Sequence, residues 1–165
     1  MKMQEEEFID KHKIIIRNYR TSDYQATLEI LRQLHKTYDI GLNEQKWKES
    51  SGLRQFKPNL KRITLIAEYK PTGEVVGMGM LEAVKNSIGR YIGYLENWAT
   101  KKEYIGKRVG EILAKRAMFI LKSWGCDSVR INIGYNADKK LIDVIGKVGF
   151  KPILVVLERK LTEDE

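Results

Sequence analysis

The chain has 165 residues, 42% of them hydrophobic and 32% charged, and a net charge of +8. This is the make-up of one globular domain with its own core, and the single cysteine, Cys126, excludes an intrachain disulfide. No apolar run approaches the roughly 18 residues of a membrane helix, the N-terminus carries no apolar signal core, and too few His and Cys are present for a metal site, so a cytoplasmic protein without metal is expected.

Residues 1–12 read as a leader of balanced charge, and residues 13–165 as a single domain. Ile14–Asn18 is a first strand. Ser22-x-x-Gln25 opens a helix as a capping box, and Tyr24, Leu28, Leu31, His35 and Tyr38 give it one apolar-aromatic stripe. Residues 39–62 are polar and irregular, with Trp47 and Phe56 as anchors and Pro58 as a breaker. Ile63–Tyr69 and Val75–Val84 are strands joined by the turn Lys70-Pro-Thr-Gly73 into a hairpin. Gly77 and Gly79 leave one face of the second strand bare, either for close packing against a helix or as room for a substrate or cofactor. Tyr91–Thr100 is the next strand. A helix over 109–124 buries Val109, Leu113, Ala117, Ile120 and Trp124, and Gly125 ends it. A strand at Ser128–Ile133, a helix at Asp138–Val148 with Leu141, Ile142, Ile145 and Val148 inward, and a strand at Ile153–Leu161 complete the order β-α-(irregular)-β-β-β-α-β-α-β.

The most informative segment joins the fourth strand to its helix. There Tyr104-Ile-Gly-Lys-Arg-Val-Gly110 sets unpaired backbone N–H groups, the positive end of a helix dipole and cationic side chains at one point. Such a point suits phosphate, and Gly106 and Gly110 let a ligand approach the main chain. Residues 101–125 carry seven cations (Lys101, Lys102, Lys107, Arg108, Lys115, Arg116, Lys122) against Glu103 and Glu111, a local excess of +5. A solvated helix face explains Lys115, Arg116 and Lys122 equally well. The chain has neither a G-x-x-x-x-G-K-S/T run nor a G-x-G-x-x-G fingerprint, which excludes two common phosphate loops.

Leu95, Glu96, Ala99, Tyr104, Gly106, Lys107, Val109 and Gly110 together resemble the acetyl-CoA segment of the GNAT N-acetyltransferase family, whose pyrophosphate loop reads R/Q-x-x-G-x-G/A. Three positions depart from the family pattern: Lys102 stands for a proline, Ile105 for the Arg/Gln, and Arg108 for the first motif glycine. The arginine fits that position if its φ is negative. Lys147-Val-Gly-Phe150 and the element order from Ile14 to Leu161 extend the likeness over nearly the whole chain. The resemblance implies an α/β fold (α+β in some schemes), with a mixed, mainly antiparallel central sheet and helices on both faces.

It also implies an N-acetyltransferase that takes acetyl-CoA as cosubstrate, without metal, and acetylates a small-molecule or peptide amine. By the resemblance, the pyrophosphate rests on the amides of Ile105, Gly106, Lys107, Arg108, Val109 and Gly110. A strand bulge around Trp98, Ala99 and Thr100 faces the thioester, Glu96 is the base, and Asn136 meets the pantetheine arm. The tyrosine that protonates the leaving thiolate in many members is Ile145 here, which leaves a catalytically weak acyl-CoA-binding or sensor domain as the alternative. Tyr104 and Tyr135 are the nearest other phenols. Glu44, Glu49 and Glu82 are either a lure for a cationic amine or scattered surface acids. A homodimer stays open, a membrane partner is not expected, and no RNP-like or helix-turn-helix pattern points to nucleic acid.

Overall fold

The computed structural model describes residues 9–38, 44–49, 58–134 and 139–163. Five strands form one sheet in chain order: β1 (Ile14–Asn18), β2 (Arg62–Tyr69), β3 (Glu74–Lys85), β4 (Tyr91–Thr100) and β5 (Cys126–Ile131). The first four pair antiparallel, and β5 runs parallel to β4. The helices are α1 (Tyr24–Tyr38), α2 (Glu44–Glu49), α3 (Val109–Ser123) and α4 (Lys139–Lys147). Two compact units result: Met1–Ile133, with the sheet and α1 to α3, and Gly134–Glu165, with α4.

Turn chemistry and crossover geometry set this order. β2 and β3 are joined by a turn in which Gly73, at φ +72°, donates its N–H to the Tyr69 carbonyl at 2.8 Å. β5 cannot return parallel to β4 without a crossover, and α3 supplies it. The sheet therefore carries a helix on each face. On one face Leu28 and Leu31 of α1 pack with Ile66, Met78 and Ala99. On the other, α3 buries Val109, Leu113, Ala117 and Leu121. Leu121 takes the buried place expected for Ile120 and Trp124, which are half-buried, because the buried row recurs at every fourth residue. At Gly77 a Cβ would lie 3.0 Å from the side chains of both Val109 and Leu113. Gly77 therefore serves close helix packing.

The start of α1 departs from the capping box expected at Ser22 and Gln25. Asp23 does the work instead: its carboxylate accepts from the Arg20 N–H at 2.7 Å and from both terminal nitrogens of Arg17 at 2.8 Å. Asp23 is only 4% exposed. This fork ties β1 to the first turn of α1, and Arg17 also reaches Glu68 of β2 at 3.4 Å.

In the second unit, Leu141 and Ile145 of α4 are half-buried, whereas Ile142 and Val148, also read as inward, are exposed. The strand expected at Ile153–Leu161 is not formed, and Leu157 is 91% exposed. Alternating apolar residues favour an extended chain, but only a paired neighbour makes it a strand. Asp138, Tyr135, Asn136 and Phe56 lie outside the described residues.

Burial alone would raise the Asp23 carboxyl, but the bonds from Arg17 and the Arg20 N–H outweigh it and hold the group below its ordinary value of 3.8. A depressed carboxyl gives stability that is present above the unfolded pKa and lost as pH falls through the folded one. Asp23→Asn should cost about 3 kcal/mol near neutral pH, since it leaves a buried guanidinium with only the longer Glu68 contact as counter-charge. In urea titrations the difference between variant and parent should shrink as pH drops below 3.8. A pH-independent difference would show that the charge itself does not matter.

Candidate functional site

One extra residue in β4 organises the site. Gly77 and Met78 of β3 pair with Thr100 and Ala99, but Met80 pairs with Glu96, so Asn97 and Trp98 together face Gly79. This is a β-bulge, with Asn97 at φ +52°. It begins one residue before the stretch expected at Trp98–Thr100. Trp98 lies over Gly79 on the α3 face, where a Cβ would collide with the indole. Gly79 is therefore filled by the protein's own side chain, not left open for a ligand. Ala99 is buried under α1, and Thr100 closes the strand with its hydroxyl beside Gly110.

The residue just before the bulge faces outward. Glu96 pairs with Met80, on the α1 face of the sheet, and is exposed. Pairing between β4 and β5 stops at Leu95 and Ile131, one residue before Glu96, although β4 runs on to Thr100. Glu96 and the bulge thus stand where the two parallel strands cease to be joined.

The basic turn follows. Gly106 is at φ +80°, and a Cβ there would meet nothing within 4 Å. Arg108, the N-cap of α3, is left-handed at φ +69° and ψ +10° and makes no side-chain cap. The expectation of a negative φ is thus corrected: Arg108 keeps the backbone shape that the resemblance gives to a glycine. The first intrahelical bond runs from the Ile112 N–H to the Arg108 carbonyl at 3.1 Å, so the amides of Arg108, Val109, Gly110 and Glu111 precede the helical ladder. With no side chain across them and the dipole's positive end behind, they form an anion-accepting cradle. Val109 is 1% exposed beneath Gly77 and can offer only its main chain. Ile105 is 66% exposed, and the ammonium of Lys107 lies 5.7 Å from the Tyr104 ring centroid.

Four contacts that no sequence pattern announces anchor this turn. The Tyr104 hydroxyl donates to Glu74 at 3.0 Å, and Lys101 ion-pairs with the other oxygen of the same carboxylate. Gln33 of α1 accepts from the Lys102 N–H at 3.1 Å, and the Lys107 carbonyl accepts from the Ile9 N–H at 3.4 Å. The Lys101 pair is the main cause that holds Glu74 below the usual carboxylate range, with the Tyr104 bond adding to it. Burial and then Glu74 push the Tyr104 phenol above its ordinary value. Tyr104 is thus committed to holding the turn.

The acids weighed as a lure for a cationic amine are largely spent. Glu44 is held by Arg32 at 2.5 and 2.8 Å, and Glu82 by Arg62 across the β2–β3 pair at 2.8 Å. Burial raises the thiol of Cys126, which disfavours the nucleophilic thiolate. Among the described residues no group of three His, Cys, Asp or Glu could hold a metal ion, and no helix is long and apolar enough to cross a membrane.

The family model for the acetyltransferase (GNAT) family matches residues 25–150. The chain belongs to the GNAT family, whose members use acetyl-CoA. Similar solved structures include an acetyltransferase of Trypanosoma brucei (23% identity, 90% of this chain and 99% of that one, TM-score 0.68). Glucosamine-6-phosphate N-acetyltransferase of Arabidopsis thaliana is another (18%, 90% and 99%, TM-score 0.66). AAC(6′)-Iy, solved with a CoA-S-monomethyl-acetylneamine bisubstrate analogue, is a third (14%, 90% and 99%, TM-score 0.72). At these identities the likeness is one of fold. No curated protein matches the sequence.

The left-handed Arg108 gives a direct test of the turn. An L-residue there carries a penalty of about 1–2 kcal/mol, and glycine returns part of that gain through its freer unfolded chain. Arg108→Gly should raise the melting temperature by about 1–3 °C, and Arg108→Val should lower it. A lower melting temperature for the glycine variant would mean that the guanidinium contributes more than the backbone strain takes away.

Proposed function

We propose that the chain is an acetyl-CoA-dependent N-acetyltransferase that joins the acetyl group to a primary amine by direct attack in a ternary complex. The observation that carries this reading is the juxtaposition at the end of β4. An uncapped helix N-terminus with two left-handed residues before it directly follows a bulged strand that has parted from its parallel neighbour. The first feature fits a diphosphate, and the second fits a thin polar arm lying beside β4. Acetyl-CoA would supply the acetyl thioester, whose C–S bond is exchanged for a C–N bond to the acceptor.

The protein's own residues divide the remaining work. The amides of residues 105–110 and the Lys107 and Arg108 side chains hold the phosphates. The main chain of Trp98, Ala99 and Thr100 positions the acyl end. Glu96 takes the proton from the incoming ammonium, directly or through a water, since an amine attacks only when neutral. The thiolate's proton comes from solvent, as Tyr104 is engaged by Glu74. Asn136 is proposed for the pantetheine arm from the family's pattern. A second reading, an acyl-CoA-binding or sensor domain with weak chemistry, is favoured by Ile145, an alkyl side chain where the family pattern has its acid.

Two experiments test the reading. A Cβ at Gly110 would stand 3.7 Å from the Thr100 hydroxyl, so Gly110→Ala is sterically allowed, whereas Gly110→Trp fills the gap between the helix start and the strand end. The tryptophan variant should bind CoA at least about tenfold more weakly by calorimetry, a loss of about 1.4 kcal/mol, with its fold intact by circular dichroism. Undiminished affinity in a folded Gly110→Trp protein would reject the site.

Glu96→Gln should reduce acetyl transfer at neutral pH on the order of 10²-fold and leave CoA affinity unchanged, because Glu96 lies away from the phosphate turn. Its rate should recover as rising pH brings more free amine. A parental rate at every pH would make Glu96 structural, and parental CoA binding without turnover of any amine in the unmodified protein would favour the sensor reading.

A further inference from the structure

We propose that the acceptor amine carries a carboxylate close to its nitrogen, as an amino acid does, and that Arg130 holds that carboxylate while the nitrogen faces Glu96. The inference rests on the transferase reading above and names its substrate class. Its ground is the charge arrangement on the α1 face of the sheet. Arg130 pairs with Tyr94 across the parallel β4–β5 ladder, and Tyr94 shares its face with Glu96, two residues on. Arg130 and Glu96 are therefore diagonal neighbours on one surface, with side chains that start roughly 7 Å apart.

Neither group has a counter-charge within the described residues. The other acids near Arg130 are engaged: Glu82, in the row that runs through Tyr94, is held by Arg62 at 2.8 Å, and Asp127 by Arg90 at 3.2 Å. Arg130 is half-buried. A guanidinium suits a ligand that brings an anion with fork geometry, which a carboxylate has.

The spacing defines the ligand further. A cation site at Glu96 and an anion site at Arg130, one strand apart, match a small zwitterion whose two charges lie on adjacent carbons. A polyamine would place a second cation against Arg130. A doubly charged phosphate would find, among the described residues of this face of the sheet, one cation without a partner acid. Glu96 would first attract the ammonium and then, next to the bulge, take its proton, so one carboxylate serves both recognition and deprotonation.

The test compares each of the twenty proteinogenic amino acids with its α-carboxamide as acceptor for the full chain, following CoA release. At least tenfold higher kcat/KM for the carboxylate forms of some pairs is expected. Arg130→Gln should raise KM for those acids about tenfold, leave the carboxamides unaltered and keep CoA affinity, and Arg130→Lys should restore part of the difference. Equal rates for acid and carboxamide, or an equal loss for both in Arg130→Gln, would overturn the inference while transfer stands. If no amine turns over, the same pairs are titrated into the CoA-loaded protein by calorimetry. Binding selective for the acids and lost in Arg130→Gln supports the zwitterion site though the transferase reading fails. No selective binding overturns the inference as well.

Discussion

The site depends on a mismatch of one residue between two strands. Before Glu96, β4 presents Gly93 and Leu95 to the α3 face; after the bulge it presents Trp98 and Thr100. A regular strand would have kept odd-numbered residues on that side throughout. The shift seats Ala99 in the α1 core and lays Trp98 over Gly79. It also coincides with the end of β4–β5 pairing. If β4 kept all its residues but ran without the bulge, every later side chain would turn to the opposite face, with Thr100 moved from beside Gly110 to the α1 core.

The turn after β4 is held from several directions, which bears on how an exposed basic loop keeps one conformation. Its entry is gripped by Glu74 through Lys101 and Tyr104, its flank by Gln33, and its exit by burial of Val109 under Gly77. The Arg17–Asp23 fork belongs to the same chain of supports, because it sets the first turn of α1 and α1 carries Gln33. Backbone amides ordered in this way lose little freedom when they meet an anion. A left-handed arginine at position 108 is tolerable for the same reason: its strain is local, whereas the contacts that fix its neighbours extend over four elements.

Much of this was legible in the residues. β1 and β4 have the bounds that their apolar runs suggest, and β2, β3 and α3 begin and end within one residue of theirs. The acetyltransferase family was readable from Gly106, Lys107, Val109 and Gly110, because amide-lined phosphate turns need those residue types at that spacing. The cap at Asp23 was missed because its strongest partner, Arg17, lies on β1, outside any local capping pattern. The bulge was placed slightly late, although Asn97, one of the few residues that tolerate the left-handed region, marks it. Glu74, Gln33 and Arg130 had no local signature, since each acquires its role only through an element distant in sequence. Ile153–Leu161 failed in the opposite sense, as its alternation implied a strand that the structure does not form.

Charge distribution separates the two faces of the candidate site. The basic turn gathers cations whose acids are few and peripheral; Glu111 is 3.9 Å from Arg108, and both are more than half exposed. The α1 face of the sheet is instead mixed, with Arg62 and Glu82 neutralising each other and Glu96 and Arg130 left over among the described residues. A strongly anionic acceptor would be drawn to the turn and compete with the cosubstrate, and a polycation would be repelled by the net charge of +8. A ligand with both charges close together escapes both conflicts, since its long-range field nearly cancels and only the short-range pattern at β4 and β5 is left to select it. Regular alternation before the bulge keeps Glu96 on the same face as Arg130, and the bulge then turns the rest of β4 toward the basic turn.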